Sequence, residues 1–190
     1  VPGCALAIEE VLLEAGFPEH VFQSLLIDSK AAAKVIEHPL VRAVTLTGST
    51  EAGRQVAAQA AGLLKKSVLE LGGSDPYLIL EDADLEAAAE ICVQSRLINN
   101  GQSCIAAKRF ILQKGIAGEF TEIFRAKMAT RITGDPLAAA TQLGPMARKD
   151  LRDELHTQVQ SNIQAGAKCI LGGEIPDYSG DHAFYTPTIL

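Results

Sequence analysis

The sequence predicts an α/β fold built on a parallel sheet. Strand-like and helix-like patterns alternate along the chain, glycines and prolines punctuate the ends of the apolar runs, and the apolar fraction of 47% suits a packed core. Residues 4–15 place Leu6, Ile8, Val11, Leu12 and Ala15 at helical spacing, and Gly16 fits the end of that helix. Val21 to Ile27 is a short β-rich run. Ser29 to Glu37 is alanine-rich and helical, stopped by Pro39. A second strand covers Val41 to Thr47, a second helix Glu51 to Leu64, and a third strand Val68 to Leu71. Beyond Gly72-Gly73-Ser74-Asp75-Pro76 the alternation resumes: a strand at Tyr77 to Leu80, a helix from Asp84 to Leu97 with Asp84 as N-cap, a strand at Phe110 to Gln113 and a helix from Ile116 to Arg131. A helix at Asp150 to Ala165 and a strand at Lys168 to Leu171, ending in Gly172-Gly173, complete the pattern.

Composition narrows the function classes. The chain has 190 residues, enough for one sizeable core or parts of two domains. A net charge of -6 with no basic patch speaks against nucleic-acid binding, and the absence of Trp speaks against a stacking platform. No apolar run is long enough to span a bilayer, and no signal peptide opens the chain, so no membrane partner is expected. Cys4, Cys92, Cys104 and Cys169 form no CxxC pair and no metal spacing, as in a reduced, cytoplasmic protein. The chain opens on Val1-Pro2-Gly3 and closes on the strand-like Tyr185-Thr186-Pro187-Thr188-Ile189-Leu190. Both ends read as cut.

Three segments carry chemistry. Thr47-Gly48-Ser49-Thr50-Glu51-Ala52-Gly53 runs from a strand through a glycine turn into a helix, where backbone N–H groups and the helix dipole favour a phosphate. The same pattern also fits an ordinary turn with Ser49 or Thr50 as N-cap and Gly53 for close packing. Glu70 ends a parallel strand just before Gly72-Gly73, the place where ligands bind in such sheets; it is a general base for water or a solvated acid. Gly72 and Gly73 permit close approach of a ligand or simply a turn. Cys104 follows Glu70 by 34 positions, in Asn99-Asn100-Gly101-Gln102-Ser103-Cys104. A thiol on such a polar turn can be exposed, with its own N–H facing a developing oxyanion. The other three cysteines lie within helix or strand patterns and are assigned to packing. His20, His38, His156 and His182 have no acid or cysteine partner at informative spacing, and the cluster Glu81, Asp82, Asp84 reads as a solvated helix start, so no metal site is expected.

Together the segments resemble the NAD(P)-dependent aldehyde dehydrogenase superfamily, over essentially the whole chain. Leu69-Glu70-Leu71-Gly72-Gly73 resembles its general-base motif, Gly101-Gln102-Ser103-Cys104 its nucleophile motif, and Gly48-Ser49 with Gly53 its pyrophosphate turn. A narrower similarity, to bacterial succinate-semialdehyde dehydrogenases, rests on Gly72-Gly73-Ser74-Asp75-Pro76, Ala106-Ala107-Lys108-Arg109-Phe110 and the run from Leu143 to Leu155. Some of those enzymes hold the substrate carboxylate with an Arg six residues before the nucleophile; here Ile98 stands there, and Arg96 is the nearest Arg.

The resemblance implies segments of a three-layer α/β/α architecture: residues 1–71 as the later part of an NAD(P)-binding domain, and 72–190 as the earlier part of a catalytic, thiol-bearing domain. It implies Cys104 as nucleophile, Glu70 as general base, and Gly48, Ser49, Gly53, Leu71 and Gly72 against NAD or NADP. Cys104 attacks the aldehyde, hydride passes to the nicotinamide, and Glu70 activates water to release the acid from the thioester. It further implies a homo-oligomer in a full-length enzyme more than twice as long. The chain then reads as the middle of such an enzyme, inactive alone. Two other readings stand beside this one: a non-catalytic relic or nucleotide-binding module of the same fold, and a cysteine hydrolase that needs no nicotinamide.

Overall fold

The computed structural model describes residues 2–178, 180 and 182–190. The chain divides into two compact units, one ending at Gly72 and the other beginning at Gly73.

The first unit contains helix α1 (Pro2–Glu14), helix α2 (Ser29–Glu37), strand β1 (Ala43–Thr47), helix α3 (Thr50–Gly62) and strand β2 (Lys66–Glu70). Strands β1 and β2 pair in parallel, from Ala43 opposite Lys66 to Thr47 opposite Glu70. A parallel pair needs a crossover, and α3 supplies it. Helices α2 and α3 start where a short polar side chain replaces a missing backbone acceptor. The Asp28 carboxylate accepts from the Ala31 N–H at 2.8 Å, and Ser49 Oγ from the Ala52 N–H at 3.2 Å. Lys65 Nζ donates to the carbonyls of Ile36 and His38, satisfying the exit of α2. Gly53 is buried in α3, and a methyl group placed on it would stand 2.7 Å from Leu71 Cδ2.

The β-rich run Val21 to Ile27 forms no strand. Ser24 instead ties it to α1, with its N–H on Glu9 Oε2 and its hydroxyl on the Ala5 carbonyl, both at 2.8 Å. β-propensity expresses fitness for a pleated, half-buried surface, and no strand among the described residues offers this run one.

The second unit contains β3 (Pro76–Ile79), α4 (Leu85–Leu97), a 3-10 turn (Ile98–Gly101), β4 (Arg109–Leu112), α5 (Ala117–Ala129) and α6 (Lys149–Gln164). Strands β3 and β4 are parallel, with Tyr77 opposite Phe110 and Ile79 opposite Leu112. Those four side chains face the helices, whereas Leu78 and Ile111 stand exposed on the opposite face. Ile79, Ala89, Cys92, Val93, Phe120, Phe124 and Met128 form the core between sheet and helices. The rings of Phe110 and Phe124 lie 4.9 Å apart in a tilted contact. Asp84 caps α4 by accepting from the Ala87 N–H at 3.1 Å. Helices thus cover one face of each sheet, giving an α/β arrangement that is incomplete against the three layers expected.

The strand expected at Lys168 to Leu171 reduces to one antiparallel bridge, Leu171 with Ile189 in the strand-like segment ending at Leu190. Gly172 and Gly173 take φ of 64° and 88°, turning the chain out of the extended path, and the Gly173 N–H goes to Thr188 Oγ1 at 2.9 Å.

Two outcomes follow from this packing. Gly53→Ala forces Leu71 aside in a filled contact and is expected to lower stability by about 1–3 kcal/mol, read from denaturant midpoints. On α4, Glu90 Oε1 accepts from Arg131 Nη2 at 2.5 Å, and this bond, with a second from Gln94, holds its carboxyl below the usual carboxylate range. A depressed folded value contributes stability above the ordinary pKa, lost as pH falls through the folded value. The difference in thermal midpoint between the native protein and Glu90→Gln should therefore be full at neutral pH and shrink as pH falls below the ordinary carboxylate range, vanishing only below the depressed folded value.

Candidate active site

The Cys104 loop begins where α4 stops. Ile98 leaves helical geometry at φ -53°, ψ 131°, and Asn99 and Asn100 then take left-handed angles, φ 51° and 55°. Gly101 continues in the same region at φ 76°. Three consecutive left-handed residues reverse the chain, and Asn and Gly are the residue types that adopt this conformation at least cost. The loop closes where the Ala107 N–H donates to the Ser95 carbonyl at 3.1 Å. Ala106 and Ala107 are buried while Cys104 is exposed, so the base of the loop is anchored and its thiol is presented outward.

Side chains brace this loop from several directions. Arg96 Nη1 donates to the Ala107 carbonyl at 2.9 Å and Nη2 to the Gly101 carbonyl at 2.5 Å. Burial holds the Arg96 guanidinium below its ordinary pKa. Asn100 Oδ1 accepts from the Gly144 N–H at 2.9 Å and its Nδ2 donates to the Pro145 carbonyl at 3.2 Å. Gln102 Oε1 accepts from the Ala147 N–H at 2.8 Å. Lys108 Nζ donates to the carbonyls of Cys104, at 3.1 Å, and Ala106, at 3.0 Å. Among the described residues no acceptor takes the Cys104 N–H. Gly73 passes alongside, where a methyl group would lie 3.5 Å from the Cys104 carbonyl oxygen.

The remaining thiols differ in setting. Cys92 is in the core, where burial pushes its thiol pKa up and leaves it protonated. Cys169 is half-buried, with its sulfur 3.3 Å from the Leu171 carbonyl. Cys4 is exposed on α1, which corrects its assignment to packing. The histidines hydrogen-bond elsewhere: His20 with Gln23, His38 with the Leu40 N–H, His156 with Tyr185, and His182 with the Phe184 N–H. No Cys–His pair of the kind a cysteine hydrolase uses therefore involves Cys104 among these contacts. Of the acid cluster, Glu81 is paired with Gln113 and Asp84 caps α4.

The first unit gathers the other candidates at the C-terminal end of its sheet. The Gly48 N–H donates to the Glu70 carbonyl at 3.0 Å, continuing the ladder past β1. Ser49 caps α3, and Gly53 packs on Leu71. Glu70 is exposed at the last position of β2. Among the described residues, no atom beyond Gly72 and its chain neighbours lies within 4 Å of where a side chain would begin there, so that position is open. At the start of α3 the Glu51 carboxylate is engaged by Arg54 at 3.5 Å and Gln55 at 3.2 Å, which offsets its negative charge beside the helix N-terminus. A helix start of this kind can hold a phosphate.

Sequence reasoning flagged Cys104 and its polar surroundings but missed the bonds of Arg96 and Lys108 to the loop backbone and the contact with residues 144–147. The Asn-Asn-Gly run was the available signal for the left-handed turn. No helix among the described residues is long and apolar enough to cross a membrane.

Known proteins share both the sequence and the fold. The profile of the aldehyde dehydrogenase family matches residues 1–190. All 190 residues align at 49% identity with the succinate semialdehyde dehydrogenase Sad of Escherichia coli K12, named for NAD(P)+, and at 46% with a succinate-semialdehyde dehydrogenase of Mycobacterium leprae, named for NADP+. The chain spans 41% of the length of each of these relatives. The crystal structure of succinic semialdehyde dehydrogenase from Streptococcus pyogenes in complex with NADP+ superposes with a TM-score of 0.93 at 35% identity, over 98% of this chain and 41% of that one. The chain belongs to the aldehyde dehydrogenase family.

Proposed function

We propose that this chain carries the nucleophile and the general base of an NAD(P)+-dependent aldehyde oxidation, with succinate semialdehyde as substrate. The observation that carries the reading is the exposed Cys104 thiol on a braced left-handed turn, with its own N–H unpaired among the described residues. In this reading residues 1–71 belong to a cofactor-binding domain and residues 72–190 to a catalytic domain. The names of the relatives support the choice of substrate and cofactor. The protein that carries the chain is then a homo-oligomeric, cytoplasmic enzyme, and its four thiols suit a reducing compartment.

The chemistry needs two half-reactions. The Cys104 thiolate adds to the aldehyde carbon, forming a C–S bond and an oxyanion. The Cys104 N–H donates to that oxyanion, a contribution larger in the developing tetrahedral state than in the ground state. NAD(P)+, when bound, would supply the hydride acceptor, and loss of the hydride would leave the substrate as a thioester on Cys104. Glu70 then takes a proton from water as the water oxygen adds to the thioester carbon, and the C–S bond breaks to release the acid and regenerate the thiolate. Gly48 and Ser49, at the start of α3, would hold the pyrophosphate, Gly53 would let α3 pack closely on Leu71, and Leu71 and Gly72 would contact the cofactor. Arg96 is engaged with backbone carbonyls, so recognition of the substrate carboxylate falls to other residues.

The two roles separate kinetically. In the protein that carries this chain, Cys104→Ser is expected to abolish aldehyde-dependent NAD(P)H formation. Glu70→Gln is expected to keep a burst of about one NAD(P)H per site, followed by turnover slowed by about 10²-fold or more, because only thioester hydrolysis loses its base. Stopped-flow absorbance reads both. Undiminished turnover in Cys104→Ser would contradict the assignment.

A further inference from the structure

We propose that Arg96 is a positioning residue that sets the direction of the Cys104 thiol and N–H by bridging the two ends of the loop carrying them; this rests on the reading of Cys104 as nucleophile. The two carbonyls that Arg96 holds, Gly101 and Ala107, flank Cys104 in sequence, so one guanidinium spans the loop from inside. A planar fork with several fixed donors holds these two carbonyls in one orientation, whereas a lysine ammonium is a point donor on a flexible stem.

The backbone around Arg96 is shaped for it. A methyl group on Gly101 would come within 2.7 Å of Arg96 Nη2 and 3.4 Å of the Arg96 carbonyl oxygen. Glycine at this position therefore serves two purposes, permitting φ of 76° and leaving room for the guanidinium. The Ser95–Ala107 backbone bond fixes the base of the loop, and Asn100 and Gln102 hold its outer side to residues 144–147. Arg96 is the one side chain in this set that bonds on both sides of Cys104. Without it the Gly101 and Ala107 carbonyls lose their shared guanidinium donor, and the two ends of the loop are no longer tied to one group; the Lys108 bonds to Cys104 and Ala106 reach only its second half.

The same contacts separate this role from the one its neighbourhood suggests. An arginine close to the nucleophile is a natural candidate for binding a substrate carboxylate, but here both terminal nitrogens are directed into the loop backbone. Loss of Arg96 should thus impair the chemical step for any aldehyde, charged or neutral.

The test uses Arg96→Leu, Arg96→Lys and Cys104→Ser in the protein that carries this chain, with succinate semialdehyde and a neutral aliphatic aldehyde of similar length. Rates are expressed per alkylatable Cys104, and the pH dependence of iodoacetamide alkylation is recorded. Arg96→Leu is expected to lose about 10–100-fold in kcat with both aldehydes, because small misplacements of a reacting group cost this much, while KM for the semialdehyde stays within about threefold. Its alkylation profile should shift from that of the native protein, and Arg96→Lys should recover part of kcat. Native kcat in Arg96→Leu, or a rise in KM confined to the charged aldehyde, would overturn the proposal. Should Arg96→Leu fail to fold, Arg96→Lys decides: reduced kcat with both aldehydes supports the proposal and native kcat overturns it. Activity retained in Cys104→Ser would remove the underlying reading instead, whereas an inactive Cys104→Ser beside native Arg96 variants would remove only this inference.

Discussion

The position of the Cys104 thiol depends on the left-handed run Asn99-Asn100-Gly101, which α4 could not continue and the chain would not adopt unsupported. A left-handed conformation costs an ordinary residue about 1–2 kcal/mol, and Asn somewhat less. Two such residues are outweighed by the bonds that the turn makes possible. The Asn100 side chain both accepts and donates across to Gly144 and Pro145, and Arg96 contributes two charge-assisted bonds. At about 0.5–1.5 kcal/mol for a neutral bond and about 1.5–3 kcal/mol for one to a charged group, the braces exceed the strain. The strain is therefore held by named contacts on both sides of the nucleophile.

That turn is only as rigid as the helix that launches it. Of the buried apolar side chains among the described residues, only Ala60 lies in the first unit; the rest are in the second. Ala89, Cys92 and Val93 on α4 pack against Phe120, Phe124 and Met128 on α5, and Tyr77 on β3 reaches Ser95 through a 2.5 Å hydroxyl contact. The core thus fixes the last turn of α4, and Ser95 in turn anchors the loop through Ala107. A path of packed and hydrogen-bonded groups runs from the sheet to the thiol, and the loop needs no secondary structure of its own.

Much of this was legible in the sequence because the signals were local. The helix starts at Ser49 and Asp84 were readable from short polar residues before alanine-rich periodic segments, and the parallel pairing from the alternation of strand and helix. Cys104 was distinguishable from Cys92 because polar residues surround one and a helical apolar pattern the other. The misses were non-local. Whether Val21 to Ile27 becomes a strand depends on a pairing partner, and Ser24 finds α1 instead. Nothing in local spacing shows that Arg96 turns back into its own loop, because that depends on a chain reversal three residues later. The contact between Asn100 and Pro145 joins positions 45 residues apart.

The central claim is that Cys104 carries the acyl group during turnover. It is tested most directly by quenching the Glu70→Gln protein in acid after reaction with succinate semialdehyde and NAD(P)+, and mapping the added mass by peptide mass spectrometry. The account predicts a succinyl thioester on the peptide containing Cys104, present only when both aldehyde and cofactor are supplied. An adduct on Cys4, Cys92 or Cys169, or turnover without any cysteine adduct, would contradict it.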